Sequence, residues 1–206
     1  MMVRMFCTAV LAALLTTGSA IANEQLDDPS ALFRDKSTAI VNKLNERRAE
    51  IRANPRIAEE IVRSDLLPLM DIEYSARLIL GREARSATPE QLDAFAIAMS
   101  NQLINRFASG LLQFRSREQV QVLDLKGKIN ARATKVKTRW RLDSGGYALV
   151  DYVVRMTDDG WKVFDVVVEG ISYIISFQGQ IRPEVRAIGL DAVTKRLSSG
   201  DLDLAD

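Results

Sequence analysis

Lys135-Val136-Lys137-Thr138-Arg139-Trp140-Arg141-Leu142 alternates polar and apolar side chains at nearly every step, the period of a strand with one face buried and the other in water. Upstream of it the apolar residues recur three or four apart, the period of a helix with one buried side. The change of period therefore divides the chain into a helical half and a sheet half. Downstream, Asp143-Ser144-Gly145-Gly146 turns the chain into a second alternating stretch, Tyr147 to Met156, and Thr157-Asp158-Asp159-Gly160 turns it into a third, Trp161 to Glu169. Connections this short join antiparallel neighbours. With Val120-Gln121-Val122 the reading is a meander of four strands that ends at Gly170.

The helical half carries its own start and stop signals. Asp28 caps and Pro29 opens a helix whose stripe is Phe33, Ile40, Leu44 and Ile51. Asn54-Pro55 restarts the pattern, with Ile57, Ile61, Val62 and Leu66 as far as Pro68. A short helix from Asp71 carries Tyr74, Leu78 and Ile79 and stops at Gly81. Thr88-Pro89-Glu90-Gln91 is a capping box ahead of a long helix with the stripe Phe95, Met99, Leu103, Phe107, Leu111 and Phe114. After the sheet, helical spacing returns through Ile171, Ile174 and Ile175 and, beyond Pro183, Val185, Ile188 and Val193. The expected architecture is one α+β domain with its helices packed on one face of a curved antiparallel sheet.

The first residues follow a different logic. Arg4, an apolar core from Phe6 to Leu15, and Ala20-Ile21-Ala22 have the layout of a secretion signal cut before Asn23. The expected organisation is a cleaved signal at 1–22, one domain at 23–197 and a frayed tail at 198–206, with the protein working outside the cytoplasm. The one cysteine, Cys7, leaves with that signal, and there is no histidine. Disulfides, thiolate metal sites, cysteine nucleophiles and histidine bases are then outside the chemistry of the mature chain. No cofactor and no metal is expected.

Charge is nearly balanced, 28 Lys plus Arg against 27 Asp plus Glu, so nucleic acid is not an expected partner. Its distribution is uneven: alternation places Lys135, Lys137, Arg139 and Arg141 on one face of a strand, a candidate docking surface for anionic headgroups or an acidic partner. The carboxylates Asp151, Asp165 and Glu169 have no nucleophile or metal ligand beside them, which argues against an acid and base pair. The opposite sheet face is apolar: Val136 and Trp140, then Val150, Tyr152 and Val154, then Phe164, Val166 and Val168.

The stretch WKVFDVVVEGISYI from Trp161, followed by Phe177, resembles the C-terminal signature of the MlaC family of periplasmic phospholipid-binding, or toluene-tolerance, proteins. Leu67-Pro68 to Leu80-Gly81 and Thr88-Pro89-Glu90-Gln91 to Phe95 resemble that family's helical half in the same order. The resemblance implies a deep apolar cavity for acyl chains, with the phosphate near its mouth. It implies a monomeric shuttle between an outer-membrane lipoprotein and porin complex and an inner-membrane Mla ABC transporter complex, maintaining outer-membrane lipid asymmetry, and no enzymatic activity. On that reading the apolar sheet face lines the cavity with Tyr74, Leu78, Phe95, Met99, Leu103 and Phe107, and Tyr173 and Phe177 lie near the closing helix. A periplasmic chaperone or lipoprotein carrier with an apolar groove is the alternative, and an enzyme on the same scaffold comes third.

Overall fold

The computed structural model describes residues 26–113, 120–141 and 145–202. The expected signal at 1–22, Phe114, Leu142 and the Asp143-Ser144 half of one turn lie outside them. Among the described residues seven α-helices and five strands follow in order. Helix α1 (Pro29–Glu46) starts as the sequence indicates, with Asp28 accepting from Ser30 N at 2.8 Å. The single stripe through Ile51 is divided at Arg47, whose φ of −95° and ψ of 12° leave the helical region, and α2 (Arg48–Ala53) follows. Helix α3 (Arg56–Ile61) widens into one π turn, Val62–Leu66, and tightens into a 3-10 turn, Leu67–Leu69. Pro68 has no N–H to extend the ladder, which is why the regular helix stops here. Lys43 of α1 holds this irregular segment through Asp65 at 2.7 Å. Partial burial alone would raise the Asp65 carboxyl, but hydrogen bonds from Lys43 and Ser64 outweigh it and hold the group below its ordinary range.

Helix α4 (Ile72–Leu80) is the joint between the two halves. One oxygen of Asp71 caps it, accepting from Tyr74 N at 3.1 Å, and the other takes Arg155 Nε from the sheet at 2.6 Å. The Arg155 guanidinium lies 4.3 Å from the centre of the Tyr74 ring. The far end of α4 is covered by the helix that follows the sheet: Arg182 donates to the carbonyls of Leu78 and Ile79, and Gln178 also donates to Leu78. Gly81 ends α4 with φ of +64°, and a Cβ there would stand 2.5 Å from Arg182 Nη2.

Helix α5 (Pro89–Gln113) starts at the expected box, with Gln91 N on Thr88 Oγ1 and Thr88 N on Gln91 Oε1. It serves two cores. Phe95, Ala98 and Met99 pack with α4 and the C-terminal helices, and Ile104 and Ala108 pack with α1 to α3.

Strands β1 (Val120–Val122), β2 (Thr134–Arg141), β3 (Tyr147–Thr157) and β4 (Gly160–Val168) form an open antiparallel sheet in chain order. A fifth strand corrects the expected four: Gly170 does not end the sheet. Glu169 (φ 48°) and Gly170 (φ 85°) make a two-residue turn, and β5 (Ile171–Ser172) pairs with Val168 and Val167. Glu169 is held in this left-handed conformation by its own carboxylate, which takes Leu149 N at 2.6 Å. A bulge opposite Val153 and Val154 shifts the register of β4, so Val163 and Trp161 continue the inner face beyond Val166.

Helix α6 (Tyr173–Ile188) runs through Pro183, whose missing bond falls on the carbonyl of Gly179, and α7 (Leu190–Ser199) follows the turn at Gly189. The chain expected to fray from Ser198 stays attached at least to Leu202, whose N–H bonds Arg196 O and whose side chain packs on the α4–α7 core. Gly81→Ala should destabilise the fold by roughly 1–3 kcal/mol, since alanine avoids this backbone region and its Cβ must displace Arg182. A lowered midpoint in urea unfolding is the expected result.

Candidate functional site

The cross-strand register explains why the domain has a hollow. Thr138 of β2 faces Val150 of β3, which faces Val168 of β4. This row of short side chains is flanked by rows that carry Tyr152 on one side and Trp140 on the other. The sheet is therefore low along its middle and high at its flanks. Helix α1 crosses above it with Phe33, Ile40, Val41 and Leu44, and Phe33 rests on Tyr152 at 5.1 Å between ring centres. The space left between roof and floor is a cavity of about 390 Å³, closed at the sides by Leu66, Leu69 and Met70, by Arg106 and Phe107 of α5, by Val120 and Val122, and by Tyr173.

The polar atoms of the floor are used up locally. Thr138 Oγ1 donates to Val150 O at 2.6 Å and accepts from Trp140 Nε1 at 3.1 Å, so what faces the cavity is mainly carbon. The Tyr152 phenol is buried, which drives its pKa well above the ordinary tyrosine range; the hydrogen bond with Trp140 opposes that rise and the nearby Tyr173 adds to it. The site holds a phenol that stays neutral.

Two smaller spaces adjoin it. A narrow void of about 30 Å³ behind Phe107 and Tyr173 is bordered by Ile79, Met99, Leu103 and Phe177. A recess of about 300 Å³ lies along α5, bordered by Met99, Gln102, Leu103, Asn105, Arg106, Ser109 and Phe177.

Of the residues expected at a cavity, Phe107, Trp140, Val150, Tyr152, Val166, Val168 and Tyr173 line the main one. Met99, Leu103, Phe164 and Phe177 border the narrow void. Tyr74 stands edge-on to Phe164. Phe95 is fully buried in the helical core with Leu78 against it, and Val136 and Val154 are fully buried in the sheet core. Sequence reasoning missed the roof, Leu66 to Met70, β1, Val163 and Arg106. The stripe Phe33, Ile40, Leu44 was visible, but a stripe shows only that a helix has an apolar side.

Lys135, Lys137, Arg139 and Arg141 are exposed on the outer face, with the sheet between them and the cavity. The carboxylates have structural partners: Asp151 pairs with Lys135, Asp165 accepts from Ser172 Oγ and Ile174 N at the start of α6, and Glu169 holds Leu149. No helix among the described residues is long and apolar enough to cross a membrane, and no group of three His, Cys, Asp or Glu side chains among them is placed to hold a metal ion.

The family model described as MlaC protein matches residues 34–199. The chain is 25% identical over 170 residues, 81% of its own length and 78% of the relative's, to the intermembrane phospholipid transport system binding protein MlaC of Haemophilus influenzae. It is 23% identical over 164 residues, 79% of its length and 75% of the relative's, to toluene tolerance protein ttg2D of Pseudomonas putida. The fold matches the phospholipid-binding protein of Ralstonia solanacearum, solved in complex with a phospholipid, with a TM-score of 0.76, covering 87% of this chain and 100% of that one at 19% identity.

The buried phenol gives a pH test. In the unfolded chain Tyr152 ionises near its ordinary value of 10.0 while in the fold it stays protonated. The folded state then binds more protons than the unfolded state, so stability is complete below that pH and falls above it, by about 1.4 kcal/mol per pH unit for one such group. Tyr152→Phe should flatten this decline when unfolding free energy is measured across the alkaline range.

Proposed function

The chain belongs to the MlaC protein family, and on that footing we propose that it is a periplasmic phospholipid carrier that holds acyl chains in the cavity between α1 and the sheet. The observation that carries the reading is the cavity itself: about 390 Å³ walled mostly by aliphatic and aromatic side chains, when ordinary cores are packed without voids of such size. A void of roughly 150 Å³ takes up benzene, so this one has room for on the order of one long acyl chain. A lipid with two chains needs more space, and the wall best able to yield is α1, which buries only Pro29, Ser30 and Leu44 fully.

Burying a CH₂ group is worth about 0.8 kcal/mol, and two acyl chains carry roughly 30 of them, so the gross gain is of order 20 kcal/mol. A bilayer offers nearly the same burial. Net loading is therefore set by the small difference between cavity and membrane, biased by whatever the carrier docks to. The proposed organisation is a cleaved signal at 1–22 that delivers the domain to the periplasm, and a binding domain that starts at 23 and includes α7 and the chain as far as Leu202. The proposed partners are the inner-membrane Mla transporter complex and the outer-membrane lipoprotein and porin complex, met through the outer face that carries Lys137 and Arg139. The task needs binding, docking and release, and no catalytic step.

Val166 borders both the cavity and the narrow void, so Val166→Trp should fill the space. Phospholipid recovered by solvent extraction of the purified variant should fall by about tenfold or more with the far-UV CD spectrum unchanged. Unaltered lipid content in a folded variant would show that the tails lie elsewhere, and co-purified polypeptide in place of lipid would favour a chaperone. Charge reversal by Lys137→Glu with Arg139→Glu should slow association with the transporter complex by about tenfold at low salt, a difference that shrinks as salt rises.

A further inference from the structure

Among the described residues Arg106 alone borders both the apolar cavity and the recess along α5. The two spaces differ in chemistry. The cavity is walled by carbon, whereas the recess, bordered as well by Met99, Leu103 and Phe177, adds the amides of Gln102 and Asn105 and the hydroxyl of Ser109; Gln102 Nε2 donates to Leu197 O and Ser109 Oγ to Asn105 O. These three and Arg106 stand at positions i, i+3, i+4 and i+7 of one helix, which puts them on one face. Among the described residues that line the cavity, Lys36 and Arg106 are the charged ones, and both are cations. The Arg106 guanidinium lies 5.3 Å from the centre of the Tyr173 ring, a cation–π contact that keeps the planar fork at the boundary between the spaces.

An apolar chamber, a cation and a recess of mixed polar and apolar border follow one another in the order of the parts of a phospholipid: tails, phosphodiester, headgroup. We propose that this boundary is a phosphate subsite, in which Arg106 takes the phosphodiester of the bound lipid and the recess beside Gln102, Asn105 and Ser109 receives the headgroup. The proposal rests on the carrier reading above and adds a determinant of selectivity to it. A half-buried guanidinium attracts an anion more strongly than one in bulk water and offers two N–H groups to two phosphate oxygens. The Gln102 amide and the Ser109 hydroxyl already donate within the protein, so these neutral groups meet a headgroup mainly through their oxygens and discriminate little between one headgroup and another. The site then selects for the presence of a phosphate and tolerates variation beyond it.

The test compares uptake of phosphatidylglycerol, phosphatidylethanolamine and diacylglycerol with identical acyl chains, from vesicles, by delipidated full-length protein. Wild type should favour both phospholipids over diacylglycerol by about tenfold, and Arg106→Gln should bring that ratio close to one. Asn105 is exposed, so Asn105→Asp keeps the test open should the arginine variant misfold; its added carboxylate should lower phospholipid uptake relative to diacylglycerol. Equal uptake of diacylglycerol and phospholipid by wild type, or an unchanged ratio in both folded variants, overturns the phosphate subsite and leaves the cavity in place. Failure of wild type to take up any of the three overturns the carrier reading and the subsite together. In calorimetric titration inorganic phosphate alone should give no saturable heat; saturable binding lost in Arg106→Gln would make the recess a free-anion site and overturn its assignment to lipid.

Discussion

The Asp71 carboxylate joins the two halves of this domain. One oxygen caps α4 and the other takes Arg155 from the sheet, while Asp71 N and Ser75 Oγ bond to the carbonyls of Val163 and Phe164. This cluster of bonds lies beside Met70 and Val163, which border the cavity. It sets the position of the helical half relative to the sheet at the place where side-chain packing cannot, because the middle of the domain is not filled. A salt bridge with one partner largely buried is costly to break, since the loss of either member leaves an unpaired charge. The joint is correspondingly specific in geometry.

A domain with a hollow middle needs its stability at the margins. Three clusters supply it: Leu80, Phe95 and Ile181 between α4, α5 and α6, Ile61, Val62 and Ile104 under α1 to α3, and Val136, Val154 and Trp161 on the inner face of the sheet. Helix α5 belongs to two of them and passes along the cavity between, which is why the same helix supplies Phe107 to the apolar wall and Arg106 to its edge. Apolar tails inside the cavity add burial that the side chains leave unmade, and the protein still gives them up, since a membrane offers them an equivalent environment.

The change from helical to alternating period near Lys135 was enough to read an α+β chain, and cap residues marked the helix starts at Pro29, Ile72 and Pro89. Local chemistry explains these successes, because a cap or an alternating face is specified by a few neighbouring residues. The departures also have local physical causes that only become decisive in context. The two-residue turn at Glu169-Gly170 adds β5 because the Glu169 side chain finds Leu149 N across the sheet, a partner twenty residues away. The bulge opposite Val153 and Val154 moves Val163 and Trp161 onto the inner face, a one-residue change that alternation cannot foresee.

By itself the sequence determined most of the elements, their order, and which side of each is apolar, because those are properties of a residue and its near neighbours along the chain. The basic outer face of β2 and the apolar inner face of the sheet were both legible in this sense. The tertiary structure alone decided that Val136, Val154 and Phe95 are packed solid while Val150, Val166 and Val168, of the same chemical kind, border empty space. Whether two apolar faces touch or stand apart depends on the distance between elements. Here a row of short side chains, the aromatic pillars Phe33 and Tyr152, and the joint at Asp71 set that distance together, and no stretch of sequence contains it.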